Sequence, residues 1–199
     1  MDEAQKFEVP SWDYIYELLI ELAGRLRESC FKPDVIVGIS RGGWIPARIL
    51  SDLLENSNMA NIKVEFYLGV YKTVEEPVIA QPVSTSIKNK KILVVDDVSD
   101  TGKTLKIVYE EMMKEAREVR AATLYYKPWS DYRPNFYVKV TDAWIIFPWE
   151  RYEMIKTLGR NMLEAGKTLR DIEEELAKIG LDSSIVKGFV REIFGKKKT

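Results

Sequence analysis

Histidine is missing from all 199 residues, and with it go the usual neutral-pH acid–base group and the commonest zinc and copper ligand. Cysteine occurs once, as Cys30. No internal disulfide can form, and neither a thiolate–imidazole metal site nor a Ser-His or Cys-His nucleophile pair is available. The lone thiol agrees with a reducing, cytoplasmic compartment, and Cys30 reads as a packing residue. Apolar runs never approach the roughly 20 residues of a membrane-spanning helix. The N-terminal MDEAQKFEVP lacks the basic-then-apolar layout of a secretory signal. Charge of one sign is not in excess either. With 30 basic against 31 acidic side chains, neither nucleic acid nor an anionic membrane is an expected partner. The remaining chemistry falls to carboxylates, lysine, backbone amides and oxygen-bound magnesium.

At 46% hydrophobic residues the chain can bury one ordinary core with an appendage. Ser11 is placed to cap a helix running to Leu26, with apolar residues at helical spacing. Asp34–Ile39 is a short, β-branched apolar run that passes through glycines into a helix over 43–55. Ile62–Val70 reads as a second strand, 71–90 as a long loop or weak hairpin, and Lys91–Val95 as a third strand. A helix over 102–118 and a strand over 119–126 follow. This alternation predicts a parallel sheet covered by helices. Past Glu150 the pattern turns to charged helices over 153–163, 169–179 and 183–194. The expected division is therefore a domain at 1–150 and a C-terminal helical appendage at 151–199.

The segment Ile92-Leu-Val-Val-Asp-Asp-Val-Ser-Asp-Thr-Gly-Lys-Thr104 ends like a triphosphate-binding loop. Such a loop needs a glycine five positions before its Gly-Lys pair, where its amides turn into the phosphates. Asp97 stands there, and a carboxylate facing a triphosphate repels it. What remains is an apolar strand ending in two carboxylates, then a turn into a helix. The amides of Asp100, Thr101, Gly102, Lys103 and Thr104, with two threonine hydroxyls and the helix dipole, suit one phosphate monoester. Asp96 and Asp97 are placed to accept from a vicinal diol. Phosphate and diol on one ligand describe a ribose 5-phosphate. A second glycine turn, Gly38-Ile-Ser40-Arg41-Gly42-Gly43, brings amides and a bidentate guanidinium to another anion.

These two segments resemble the phosphoribosyl pyrophosphate (PRPP) signature and the pyrophosphate loop of the type I phosphoribosyltransferases. With Ser11-Trp-Asp13 and Trp144-Ile-Ile-Phe-Pro-Trp-Glu150, they are most similar to the 6-oxopurine branch, over about residues 11–150. The resemblance implies an α/β parallel-sheet core under a small hood. It implies that Asp96 and Asp97 bind the ribose hydroxyls and residues 100–104 the 5-phosphate. Ser40, Arg41, Gly42 and Gly43 hold pyrophosphate, with a non-proline cis peptide at Ser40–Arg41. Lys127 recognises the exocyclic oxygen of the purine, Trp144 stacks on it, the Ile145 backbone bonds its edge and Glu150 faces its 2-position. Glu150 stands where the smallest members carry Asp.

The implied reaction is displacement of pyrophosphate from PRPP by a purine nitrogen, giving a nucleoside 5-monophosphate. Asp100 is the general base at N7, and Arg41 stabilises the leaving group. Mg²⁺ is the cofactor, with Asp97 its protein ligand. Lys72 adds charge to the pyrophosphate site, the 71–90 segment closes over it, and a homodimer is expected. Adenine as the base, or a PRPP-sensing regulator using the C-terminal helices, are the alternatives. The regulator would show Lys167, Arg170, Lys187 and Arg191 as one exposed stripe.

Overall fold

The computed structural model describes residues 6–68 and 75–195; Lys72 lies outside them. Strand β1 (Phe7–Glu8) leads into helix α1 (Trp12–Glu28). Ser11 Oγ accepts the Tyr14 amide at 3.1 Å, satisfying one of the open donors of the first turn. Ile15, Leu18, Leu19, Leu22, Ala23 and Leu26 form its buried face, a helical 3–4 spacing. After α1 the backbone turns through Cys30 at φ 56. That residue is exposed, which corrects its expected packing role: the turn points the thiol to solvent.

Strand β2 (Val35–Ser40) is buried from Val35 to Ile39, as a central parallel strand covered on both faces must be. Helix α2 (Trp44–Leu53), strand β3 (Met59–Leu68), strand β4 (Glu75–Gln81), strand β5 (Lys91–Ser99), helix α3 (Lys103–Met112), strand β6 (Glu118–Tyr126) and strand β7 (Phe136–Val140) follow. They form a sheet of order β4-β3-β2-β5-β6-β7. All neighbours are parallel except β3 and β4, which run antiparallel. The 71–90 segment therefore contains a strand, the hairpin option of the sequence reading. Helix α3 stops at Met112, short of the expected 118. Glu118 instead opens β6, opposite Lys91, with its carboxylate paired to Arg120 at 2.8 Å.

Strand β2 is where the chain reverses its direction of travel across the sheet. It goes outward to β3, then returns to the other side of β2 as β5. Loops leaving the carboxyl ends of such a strand pair flank a crevice, the usual ligand position in open α/β sheets. Asp34 fixes the register at the opposite end, its carboxylate accepting the Lys91 amide at 2.7 Å. Helix α3 covers one sheet face, with Leu105, Val108 and Met112 packed among Val35, Val37, Ile39, Ile92 and Val94. Helix α2 covers the other, since a Cβ on Gly38 would meet Ala47 Cβ at 3.0 Å.

The described chain divides into two compact units, residues 16–141 and residues 1–15 with 142–199. The second unit holds β1, strand β8 (Trp144–Ile145), and helices α4 (Arg151–Glu164), α5 (Leu169–Lys178) and α6 (Ser183–Phe194). β1 and β8 pair in parallel. Its core joins Ile146, Ile155, Ile172, Leu176, Val186 and Val190. Thr168 and Asp171 form a capping box on α5, and Asp182 caps α6 through the Ser184 and Ile185 amides at 2.9 and 3.0 Å.

Candidate active site

Side chains alternate along a strand, so the adjacent carboxylates at the end of β5 part company. Asp97 points to the α2 face, where it is 6% exposed and lies against Gly42. Asp96 points to the α3 face and accepts the Asp97 amide at 3.0 Å. There it lines a cavity of about 550 Å³ with Ser99, Asp100, Thr101, Gly102, Lys103 and Thr104. That volume falls in the range of small-ligand sites. The amino end of α3 opens on the same cavity, and no side chain caps it at Gly102. Its N–H groups and dipole favour an anion.

Gly102 has φ 81, a left-handed conformation that glycine adopts at little cost. A Cβ there would meet Ser130 Oγ at 2.7 Å and crowd the Tyr132 amide. The loop after β6 is thus pressed against the loop after β5, and hydrogen bonds lace the two. The Lys127 amide donates to Ser99 O at 3.0 Å and the Asp131 amide to Thr101 O at 3.0 Å. The buried Ser99 hydroxyl reaches Ser130 Oγ at 2.9 Å and Tyr132 O at 2.8 Å. Burial, reinforced by Tyr109, pushes the Tyr132 phenol up to about 12, so it stays neutral at physiological pH.

Lys127 is 5% exposed, and its Nζ stands 5.3 Å from the centre of the Trp129 ring. The indole N–H of Trp129 in turn donates to Asp100 Oδ1 at 3.2 Å. Trp129 went unnoticed in the sequence. Its one local signal is the run Lys127-Pro-Trp-Ser130 beside a predicted strand end.

On the α2 side, Ser40–Arg41 is a cis peptide. Ser40 Oγ is buried with no hydrogen-bond partner among the described residues, as a group awaiting a ligand would be. Arg41 is exposed, and Gly43 caps α2 without a side-chain bond. The described residues hold no group of three carboxylate, thiol or imidazole side chains able to bind a metal. Their donors are hard oxygens, so a Mg²⁺ here fits only if the substrate supplies most of its ligands.

Trp144, Ile145 and Glu150 belong to the other unit. Trp144 is half exposed on β8, its register partner Phe7, while Ile145 is buried. Glu150 precedes α4 without capping it through its side chain. Trp149 stacks on Phe147 at 4.8 Å, with Trp12 on it at 5.6 Å. Lys167 and Arg170 each pair with a glutamate, Glu175 and Glu174, so they add no uncompensated charge to a basic stripe. A larger groove, about 1190 Å³, lies at the amino ends of the strands beside Asp34 and Lys90 and contains none of these residues.

Residues 11–153 match the phosphoribosyl transferase domain family. The chain is 32% identical over 142 residues to the xanthine-guanine phosphoribosyltransferase of Gluconobacter oxydans, covering 70% of this chain and 82% of that one. The crystal structure of a purine phosphoribosyltransferase from Pyrococcus horikoshii is 44% identical, with a TM-score of 0.66 over 72% of this chain and 93% of the other. A Neisseria gonorrhoeae protein solved with bound ppGpp is 27% identical, with a TM-score of 0.68 over 83% and 99%. Residues 154–199 extend beyond the matched family segment.

Proposed function

The chain belongs to the phosphoribosyltransferase family, and from that premise we propose that it is a purine-salvage enzyme acting on a 6-oxopurine: guanine, xanthine or hypoxanthine. The observation that carries this reading is the cavity bounded by Asp96 at one side and the amino end of α3, begun at Gly102, at the other. A diol acceptor and an anion site share one space, as a ribose 5-phosphate requires.

In the proposed reaction the purine N9 lone pair forms a bond to the anomeric carbon of PRPP. The bond from that carbon to the pyrophosphate oxygen breaks, and its electron pair leaves with pyrophosphate. Positive charge builds on the ribose as the leaving group departs, as in glycoside cleavage. Asp96 and Asp97 hold the ribose hydroxyls, and residues 100–104 hold the 5-phosphate. Arg41, Ser40 and the amides of Gly42 and Gly43 take the developing charge on pyrophosphate. Asp100 accepts the proton from N7. Lys127 recognises the exocyclic oxygen; Trp144 stacks on the base, with the Ile145 backbone and Glu150 at its edge. Asp97 would hold Mg²⁺, which would supply positive charge to the leaving pyrophosphate.

These roles rest on the family resemblance together with the chemistry of the residues. On the same footing we assign residues 1–150 to catalysis and 151–199 to a helical appendage, and place a homodimer in the cytoplasm. No described helix is long and apolar enough to cross a membrane. The adenine and regulator alternatives are not favoured, since curated relatives act on xanthine and guanine by name and two of the four cations of the basic stripe, Lys167 and Arg170, pair with acids. The test is pyrophosphate release from PRPP with and without an added 6-oxopurine. Release that depends on the purine is expected; none under any base would overturn the reading.

A further inference from the structure

Trp129 is 54% exposed, a large aromatic left half in water, so burial does not explain its place on the loop after β6. Nor is it needed to hold that loop, whose backbone is already laced to the β5–α3 loop through Ser99, Thr101, Ser130 and Tyr132. What its ring does is touch two functional groups at once. One edge donates to Asp100 Oδ1 at 3.2 Å, and its face lies 5.3 Å from Lys127 Nζ.

We propose that Trp129 is a positioning residue that orients the Asp100 carboxylate for proton transfer and ties it to Lys127. This rests on the proposed roles of those two residues. Asp100 is exposed, and among the described residues Trp129 is the only side chain hydrogen-bonded to it. A solvent-facing carboxylate samples several rotamers, and proton transfer requires one of them. The indole N–H is a donor with no acceptor capacity. It fixes Oδ1 and leaves Oδ2 to face the substrate proton. Two torsions set the indole, so it holds the carboxylate at small entropic cost. The ring face attracts the Lys127 ammonium by its quadrupole. Movement of Lys127 is thereby coupled to the orientation of Asp100, joining base recognition to base catalysis in one side chain.

The test compares Trp129→Phe, Asp100→Asn and the double variant. Phenylalanine keeps a ring under Lys127 and removes the N–H. Its kcat should fall about 10- to 100-fold, a part of the roughly 10²- to 10⁴-fold that a positioned base contributes, with KM for PRPP unchanged. In the Asp100→Asn background the same change should have no further effect on kcat. If Trp129→Phe unfolds the loop, replacing Trp129 by its sulfur isostere, benzothienylalanine, removes the N–H alone and should give the same fall in kcat. Unchanged kcat in either form, or additive losses in the double variant, would overturn the proposal while leaving the transferase reading intact. Unchanged turnover in Asp100→Asn would instead remove Asp100 as the base, and this proposal with it.

Discussion

The carboxylate of Asp97 occupies the space that a side chain at position 42 would need. A Cβ on Gly42 would stand 2.6 Å from Asp97 Cγ, inside any van der Waals contact. One short residue thus lets a buried carboxylate at the end of β5 close against the loop after β2, joining the two loops that flank the sheet reversal.

Gly42→Ala is therefore expected to displace Asp97 rather than be absorbed. Overpacking at a well-packed site costs about 1–3 kcal/mol, and here the shift falls on the loop proposed to hold pyrophosphate. KM for PRPP should rise at least tenfold while KM for the purine changes less. Steady-state kinetics with each substrate varied in turn checks this.

Gly102→Ala faces a different obstacle, since the new Cβ meets both the left-handed backbone at φ 81 and the Ser130 hydroxyl at 2.7 Å. Alanine at a positive φ costs upwards of about 1 kcal/mol. The melting temperature should fall, and the affinity for ribose 5-phosphate should fall with it because the amino end of α3 moves. Calorimetric titration with ribose 5-phosphate reads the second effect.

How much of this was visible in the sequence depended on whether a feature was local. Helices α4, α5 and α6 announced themselves by their charged helical period; the caps at Thr168 and Asp182 came from the structure. The strand, turn and helix of the proposed phosphate loop were legible because their whole pattern lies within 13 consecutive residues. Strand β4 was harder, since Pro77 interrupts it and its Glu-rich start gives little apolar alternation. Strand β7 was not anticipated; it is a five-residue sheet edge whose side chains are only half buried. The parting of Asp96 and Asp97 onto opposite faces of β5 follows from strand alternation. Trp129 was out of reach, because its meaning lies in Asp100, 29 positions away.

Acid should loosen the C-terminal helices. Hydrogen bonds from Thr168 hold the Asp171 carboxyl below the usual aspartate range, and those from Ser184 and Ile185 do the same for Asp182. Folded values below unfolded ones mean stabilisation that is complete above the unfolded pKa. It is lost as pH falls through the folded values, below about pH 4. An Asp171→Ala, Asp182→Ala double variant should melt below the wild type at pH 7, and the gap should narrow towards pH 2.5. A gap that stays constant over this range would contradict the assignment.

Chelation separates metal in catalysis from metal in folding. With no cluster of three metal-binding side chains among the described residues, removal of Mg²⁺ should abolish turnover and leave the melting temperature of the substrate-free protein unchanged. Parallel melts and assays in excess chelator decide it.

The most direct test is to identify the product. Incubation with PRPP, Mg²⁺ and guanine, xanthine, hypoxanthine or adenine in separate reactions, followed by mass spectrometry, reads out which nucleoside 5-monophosphate forms. The account predicts product from at least one of the three 6-oxopurines, and more of it than from adenine. Product from adenine alone, or from none of the four, would contradict it.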